Sequence, residues 1–442
     1  MKNNSLSDLA VTYQPVDSLA AHSHNARTHS KHQIRQIAAS IKAFGFTTPV
    51  LIDCKNTIVA GHGRVEAAKL LGMEGVPTIR LDNLTEDQIR AYIIADNRLA
   101  EKAGWDKSIL AIELQHLLTI ESDLDATITG FDIPEIDLII QESNMANDQD
   151  DVFEFDGSGP AVTQTGALWL LGKHRILCGN SLEESHYKTL FSNLKAQVAF
   201  LDPPYNLPID GNVSGHGCIR RREFVMGSGE MNEIEFVAFL TASLHLASQY
   251  STCGSIHFIC IDWRHMSVLF AAGEKTYDTL LNLCVWVKNR GGLGSFYRSR
   301  HELVFVFRKG KGKHRNNIQL GRYGRDRSNI WEYPVIHALS SSGEEGKILD
   351  LHPTLKPVAL VADALLDCSA PGDIVLDSFL GSGSTLIAAE RVGRVCFGIE
   401  IDPVYVDVAI RRWQRHTGDR AIHASTGKSF DDLAAASEVD RG

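Results

Sequence analysis

The run Val198-Ala199-Phe200-Leu201-Asp202-Pro203-Pro204-Tyr205-Asn206 sets the architecture of the chain. Apolar, β-branched and aromatic residues stopped by two prolines predict a buried strand ending in a stiff turn, because proline fixes φ and offers no ladder donor. Asp202 then stands at the strand's carboxyl end, the edge at which open α/β sheets bind ligands. A carboxylate, a rigid dipeptide and an aromatic ring at that edge suit chemistry on a planar exocyclic amine. The lone pair of such an amine is delocalised into its ring, and Asp202 and the Pro203 carbonyl, by accepting its two protons, would localise it. Tyr205 would stack on the ring, while Pro203 and Pro204 hold the acceptors rigid in advance. A plain proline turn accounts for these few residues equally well, so the weight falls on the rest of the chain.

With 442 residues, 44% of them hydrophobic, the chain can fill more than one core, and two domains are expected. No apolar targeting segment follows Met1-Lys2-Asn3-Asn4 and no apolar run has bilayer length, so a cytoplasmic protein without membrane association is expected. The eight cysteines form no CxxC pair, which predicts reduced thiols and no structural metal. The net charge of -10 is unevenly spread. Residues 108–172 hold thirteen Asp and Glu and no Lys or Arg, whereas residues 286–327 hold twelve Lys and Arg against Glu302 and Asp326. The second pattern, interleaved with glycine and aromatic residues, predicts a phosphate-facing surface.

Residues 1–140 predict a small α/β domain. Ile34, Ile37, Ala38, Ile41 and Phe44 have helical spacing with Gly45 as the stop, and residues 49–53 and 57–60 predict two short strands. Gly61-His62-Gly63-Arg64 follows, then a helix over 65–72. Glycines at a strand-to-helix junction let backbone amides face an anion, and Arg64 adds a charged donor; a tight turn is the alternative. Together with Asn25-Ala26-Arg27-Thr28, residues 40–46 and Ala95-Asp96-Asn97-Arg98, this region resembles the ParB/sulfiredoxin-like domain. That resemblance allows a nucleotide at the Gly61–Arg64 turn, with a DNA phosphate as the other anion the turn would suit. The family's box carries an acid and two arginines after its first glycine, and here His62 and Gly63 fill the first two of those places. Helices are predicted around Leu110–Leu118 and over 135–141, and residues 141–165 read as an acidic flexible linker.

Residues 166–430 predict the larger domain. A hairpin-like pair over 168–178 leads to Gly179-Asn180, and a glycine-containing stretch from Asn206 to Glu230 carries Arg220 and Arg221; beside the proline turn it is expected to be a lid that orders on DNA. A helix over 236–250 and strands over 254–261, 283–287 and 303–307 follow. The strand Ile374-Val375-Leu376-Asp377, the turn Ser378-Phe379-Leu380-Gly381-Ser382-Gly383 and a helix over 385–390 place backbone amides near a ligand, and the next strand ends in Glu400, suited to two ribose hydroxyls. A nicotinamide or flavin site would need the full GxGxxG fingerprint, and Ser384-Thr385-Leu386 break it. Residues 431–442 are expected to be a disordered tail.

The tetrapeptide Asp202-Pro203-Pro204-Tyr205 resembles the catalytic motif of amino-group DNA methyltransferases, and residues 377–383 resemble the S-adenosylmethionine loop of class I methyltransferases. His352-Pro353-Thr354-Leu355-Lys356-Pro357 is similar to the motif that contacts the methionine end of that cofactor. The order, catalytic tetrapeptide before cofactor loop, is that of the β-class. The resemblance implies a class I methyltransferase fold, a Rossmann-like α/β sheet with helices on both faces, preceded by the ParB-like domain. It implies S-adenosyl-L-methionine as cofactor, held by Asn180, Thr354, Lys356, Asp377, Phe379, Gly381, Ser382, Gly383 and Glu400. Double-stranded DNA is the implied partner, with Arg220, Arg221, Lys288, Arg290, Arg298, Arg322, Arg325 and Arg327 as contacts, and a homodimer is allowed. Asp at the head of the tetrapeptide favours the N6 amine of adenine, and N4 of cytosine is the alternative. A third reading, a ParB-like regulatory protein with an inactive methyltransferase, would predict damaged motifs, and these are intact.

Overall fold

The computed structural model describes residues 9–119, 125–144, 161–207, 227–289, 291, 297–318, 325–334 and 356–439. The chain divides into two compact units, Met1–Ser143 and Asn144–Gly442.

The first unit runs β1 (Val11–Pro15), β2 (Ala20–Ala21), α1 (Lys31–Phe44), β3 (Val50–Ile52), β4 (Thr57–Ala60), α2 (His62–Leu70), β5 (Gly75–Arg80), α3 (Glu86–Glu101), α4 (Lys107–Thr119) and α5 (Ile133–Asn144). Its five strands lie in the order β1-β5-β3-β4-β2. Ser30 caps α1 by accepting from the Gln33 amide, and Gly45, at φ +80°, ends it. Val16, Val50, Ile52, Ile58, Val65, Ala68 and Val76 form the core against the sheet. Leu114, Ala126 and Ile136 build a separate small core that joins α4 to α5.

The second unit begins with the hairpin β6 (Leu168–Leu171) and β7 (His174–Cys178), then α6 (Glu184–Phe191), β8 (Ala196–Leu201), α7 (Glu233–Gln249), β9 (Ser251–Ile261), α8 (Met266–Thr276), β10 (Thr279–Val287), β11 (His301–Arg308) and β12 (Ile330–Glu332). It closes with α9 (Val358–Cys368), β13 (Ile374–Asp377), α10 (Ser384–Arg391), β14 (Val395–Glu400), α11 (Pro403–Thr417), β15 (Ile422–His423) and α12 (Phe430–Val439). Ten strands form one sheet in the order β12-β10-β11-β9-β8-β13-β14-β7-β6-β15. The five central strands, β9, β8, β13, β14 and β7, run parallel. Buried on both faces, β8 feeds two cores: Val198 and Phe200 point into one, Ala199 and Leu201 into the other. Among the described residues, no helix is long and apolar enough to cross a membrane.

Two boundary expectations are corrected. Residues 431–439 are helical in α12 rather than a structureless tail: the Ser429 hydroxyl caps the Asp432 amide, and the buried Phe430 ring packs 5.3 Å from that of Trp169. The end of the expected linker is also fixed, because the Val162 and Thr163 amides donate to the buried Asp407 carboxylate on α11.

Candidate active site at the carboxyl edge of the sheet

Three neighbouring parallel strands each end in a carboxylate. Asp202 follows β8, Asp377 closes β13 and Glu400 closes β14. From Asp377 the chain turns through glycines at positive φ, Gly381 at +53° and Gly383 at +87°, into α10. A Cβ on Gly383 would stand 3.0 Å from that of Ala409 on α11, so only glycine lets the turn lie this close. The Phe379 amide donates to Asp377 Oδ1 at 3.0 Å, and the amides of Gly381 and Asp402 donate to Glu400 at 2.7 and 2.8 Å. Asn180 joins this edge, since the Gly179 amide donates to the Glu400 carbonyl. Burial pushes both Asp377 and Glu400 up to about 7, and among the described residues neither forms an ion pair.

Beside them lies a buried polar cluster. Lys356 Nζ sits 2.7 Å from Asp202 Oδ2, 2.9 Å from Glu302 Oε2 and 3.1 Å from the Tyr205 hydroxyl. The Tyr205 hydroxyl is in turn 2.8 Å from Asp202 Oδ1 and 3.1 Å from Glu302 Oε2, and Lys288 Nζ pairs with Glu302 Oε1. Burial disfavours the charged Lys356, but the Asp202 and Glu302 carboxylates outweigh it and hold the ammonium charged. Asp202 is raised by burial, which Lys356 opposes, whereas two lysines hold Glu302 well below its ordinary range in spite of its own burial. Burial, reinforced by both carboxylates, raises the Tyr205 phenol well above its usual value, so it remains a donor.

The turn after Asp202 is braced. Asn206, at φ +54°, accepts from the Gly229 and Met231 amides through its side chain and donates back to the Met231 carbonyl. Gly227 lies against the Pro204 ring, where a Cβ would come within 2.7 Å.

Other expected site residues are placed differently. Lys356, expected at the cofactor, touches Asp202, and Tyr205 directs its hydroxyl to two carboxylates. Of the expected DNA contacts, Lys288 points inward to Glu302, and Arg325 and Arg327 are committed to Asp363 and Asp367 on α9, with Arg325 Nη2 2.7 Å from Asp367 Oδ1. These three assignments are corrected: a charge that satisfies a buried partner is not available to a phosphate. Arg298 is exposed, while Arg220, Arg221, Arg290, Arg322 and Thr354 lie outside the described residues. Glu302 was missed as a site residue; its only signal is an acid beside a run of strand apolars. In the first unit, α2 begins at His62, directly after Gly61 at φ +102°. The Arg64 guanidinium folds back over Gly61 onto the Pro49 carbonyl, and its Nε has no hydrogen-bond partner among the described residues.

A DNA methylase family matches residues 196–411, which span β8, the carboxylate edge and the glycine turn. Residues 196–411 are an N6/N4 DNA methylase domain. The methylase also carries a ParB N-terminal domain over 2–97 and a ParB-methyltransferase HTH domain over 108–165, the latter taking in α4, α5 and the stretch expected as linker. It is 54% identical over 80 residues to the ParB-like nuclease domain-containing protein YnaK of Escherichia coli, covering 18% of this chain and 92% of that protein. The type II methyltransferase M.HpaI of Haemophilus parainfluenzae is 25% identical over 252 residues, 54% of this chain and 73% of that one. The DNA adenine methyltransferase YhdJ of Escherichia coli is 42% identical over 84 residues, 19% of this chain and 26% of that one.

DNA is the substrate of the methylase, and S-adenosyl-L-methionine is its cofactor. The residues present fit that molecule. Two buried carboxylates with no cationic partner among the described residues, set beside a glycine turn, suit a ligand that brings hydroxyls and positive charge.

Proposed function

We propose that the methylase transfers the methyl group of S-adenosyl-L-methionine to the N6 amine of adenine in double-stranded DNA. The observation that carries this reading is Asp202, fixed at the end of β8 and at the head of Asp-Pro-Pro-Tyr, with the carboxylates of β13 and β14 on the next two strands. Adenine is favoured over cytosine by Asp in that first position and by the likeness to a DNA adenine methyltransferase.

The target base leaves the duplex, because a paired amine cannot reach a protein pocket. Asp202 and the Pro203 carbonyl accept from its two N–H groups and turn the nitrogen lone pair out of the ring system. When bound, the cofactor would supply an electrophilic methyl on its sulfonium, the sulfur keeping the S–C electron pair as the methyl leaves. Asp202 accepts the proton that the nitrogen loses as the N–C bond forms. Glu400 takes the ribose hydroxyls, with Asn180 beside it, and Asp377 and the turn from Phe379 through Gly381, Ser382 and Gly383 shape the rest of the cofactor site. Mass spectrometry of nucleosides from DNA of cells expressing the protein tests the proposal. N6-methyldeoxyadenosine is the expected product; N4-methyldeoxycytidine would reverse the base assignment, and neither would overturn the reading.

A further inference from the structure

Glu302 is an acid that the sheet has every reason to exclude. It lies near the start of β11, followed by Leu303, Val304, Phe305, Val306 and Phe307, all buried, and is itself only 5% exposed. Burying an unpaired carboxylate is strongly disfavoured, and removing one member of a buried pair leaves the other exposed to that penalty. In this structure both of its oxygens are used: Lys288 holds Oε1, while Lys356 and the Tyr205 hydroxyl hold Oε2. Two carboxylates and two ammonium groups leave the cluster neutral.

The donors of this cluster are shared. Tyr205 has a single hydroxyl proton and stands within reach of both Asp202 and Glu302, so it serves one of them at a time. The three N–H bonds of Lys356 have three acceptors, Asp202, Glu302 and the Tyr205 oxygen. Asp202 Oδ2 is thus occupied by an ammonium group where the proposed reaction requires the amine of the target base. Freeing that oxygen means moving Lys356 off it, and an ammonium stripped of its counter-charge in this buried place is strongly disfavoured.

We infer that Glu302 is a positioning residue for methyl transfer: it retains Lys356 and accepts the hydrogen bond of the Tyr205 hydroxyl when the target amine occupies Asp202. This rests on the reading of Asp202 as the amine's acceptor. Before the amine arrives, Lys356 bridges the two carboxylates; afterwards it leans on Glu302 alone, close enough to keep Asp202 ionised. Lys288, on the far oxygen, sets how much negative charge Glu302 can offer. Lys356, Glu302, Tyr205, Cys260 on β9 and Asp377 on β13 all face Asp202, and the first two carry the charge balance.

The test compares the full-length wild type with E302Q and K288Q, reading methyl incorporation into unmethylated duplex DNA against pH and cofactor affinity by calorimetry. E302Q is expected to lose about 10²-fold in kcat, the scale of a misplaced reacting group, with cofactor affinity unchanged. Its acid limb should move down, since Asp202 loses a like charge. K288Q should move the limb up, because a nearby positive charge is removed. Opposite displacements are something that a merely structural role would not produce. If both limbs stay at the wild-type position, or both move the same way, the inference is overturned. Should E302Q fail to fold, K288Q decides alone, and an unmoved limb overturns it. A wild type that methylates no DNA would instead sink the underlying reading of Asp202, and the role of Glu302 with it.

Discussion

Lys356 and Asp202 are 154 residues apart in the chain and 2.7 Å apart in the fold. The contact places Lys356 at the acceptor of the proposed reaction rather than at the cofactor's methionine end. K356M should therefore abolish most methyl transfer, raise the pH at which any residual activity is lost on acidification, and leave cofactor affinity nearly unchanged. The sign follows from the charge: without the ammonium, burial and the Glu302 carboxylate act on Asp202 without that opposing charge and raise it further. Calorimetry beside a pH profile checks this. A large loss of affinity with an unmoved profile would return Lys356 to the cofactor.

Asp377 and Glu400 make cofactor binding depend on pH. Both are pushed up to about 7 by burial, from ordinary values near 4. A carboxyl whose folded pKa is raised favours the fold when protonated. Its contribution is full below the unfolded pKa and is lost as pH rises through about 7. Hydroxyl and cationic groups of the ligand prefer the ionised forms. Affinity for S-adenosyl-L-methionine should therefore rise between about pH 6 and pH 8, and the cofactor's thermal stabilisation should be larger at the higher pH. Equal affinities at the two pH values would mean that neither carboxylate meets the ligand.

The arginines of the basic segment divide into two kinds. Arg325 is 5% exposed and paired with Asp367, itself 7% exposed, so R325A should destabilise the second unit by about 1.5–3 kcal/mol, because the buried Asp367 is left to Arg327 alone. Arg298 is exposed, and R298A should leave stability unchanged while lowering the slope of log affinity for DNA against log salt by about one. Denaturant midpoints and a salt titration separate them. A stable R325A protein with a flattened salt slope would restore the phosphate assignment.

The second unit holds its own sheet, both of its cores and the carboxylate edge. A chain starting near Asp156 retains Val162 and Thr163, whose amides cap Asp407, and should fold, bind the cofactor and methylate DNA. Removing those two residues as well should lower its melting temperature, because Asp407 loses both donors. A folded truncation without activity on any DNA would show that the first unit completes the site.

Local sequence determined the strand ends. A run of apolar residues ending in Asp202-Pro203-Pro204 predicts a buried strand with its acid at the carboxyl edge, and the glycines after Asp377 permit a turn that other residues strain to adopt. The same reasoning placed the helix after Gly61, though three residues late, because the glycine's left-handed conformation starts the helix at His62. Side-chain partnerships between distant segments were decided only by the tertiary structure. Lys288, Arg325 and Arg327 look like surface charges in a basic stretch, yet antiparallel pairing of β10 with β11 sets Trp286 opposite Glu302 and turns Lys288 inward, while α9 brings Asp363 and Asp367 to the arginines. Charge patterning counts residues along the chain, whereas an ion pair depends on which strand lies beside which. Strand order therefore decided which charges could face DNA and which had to neutralise one another inside the protein.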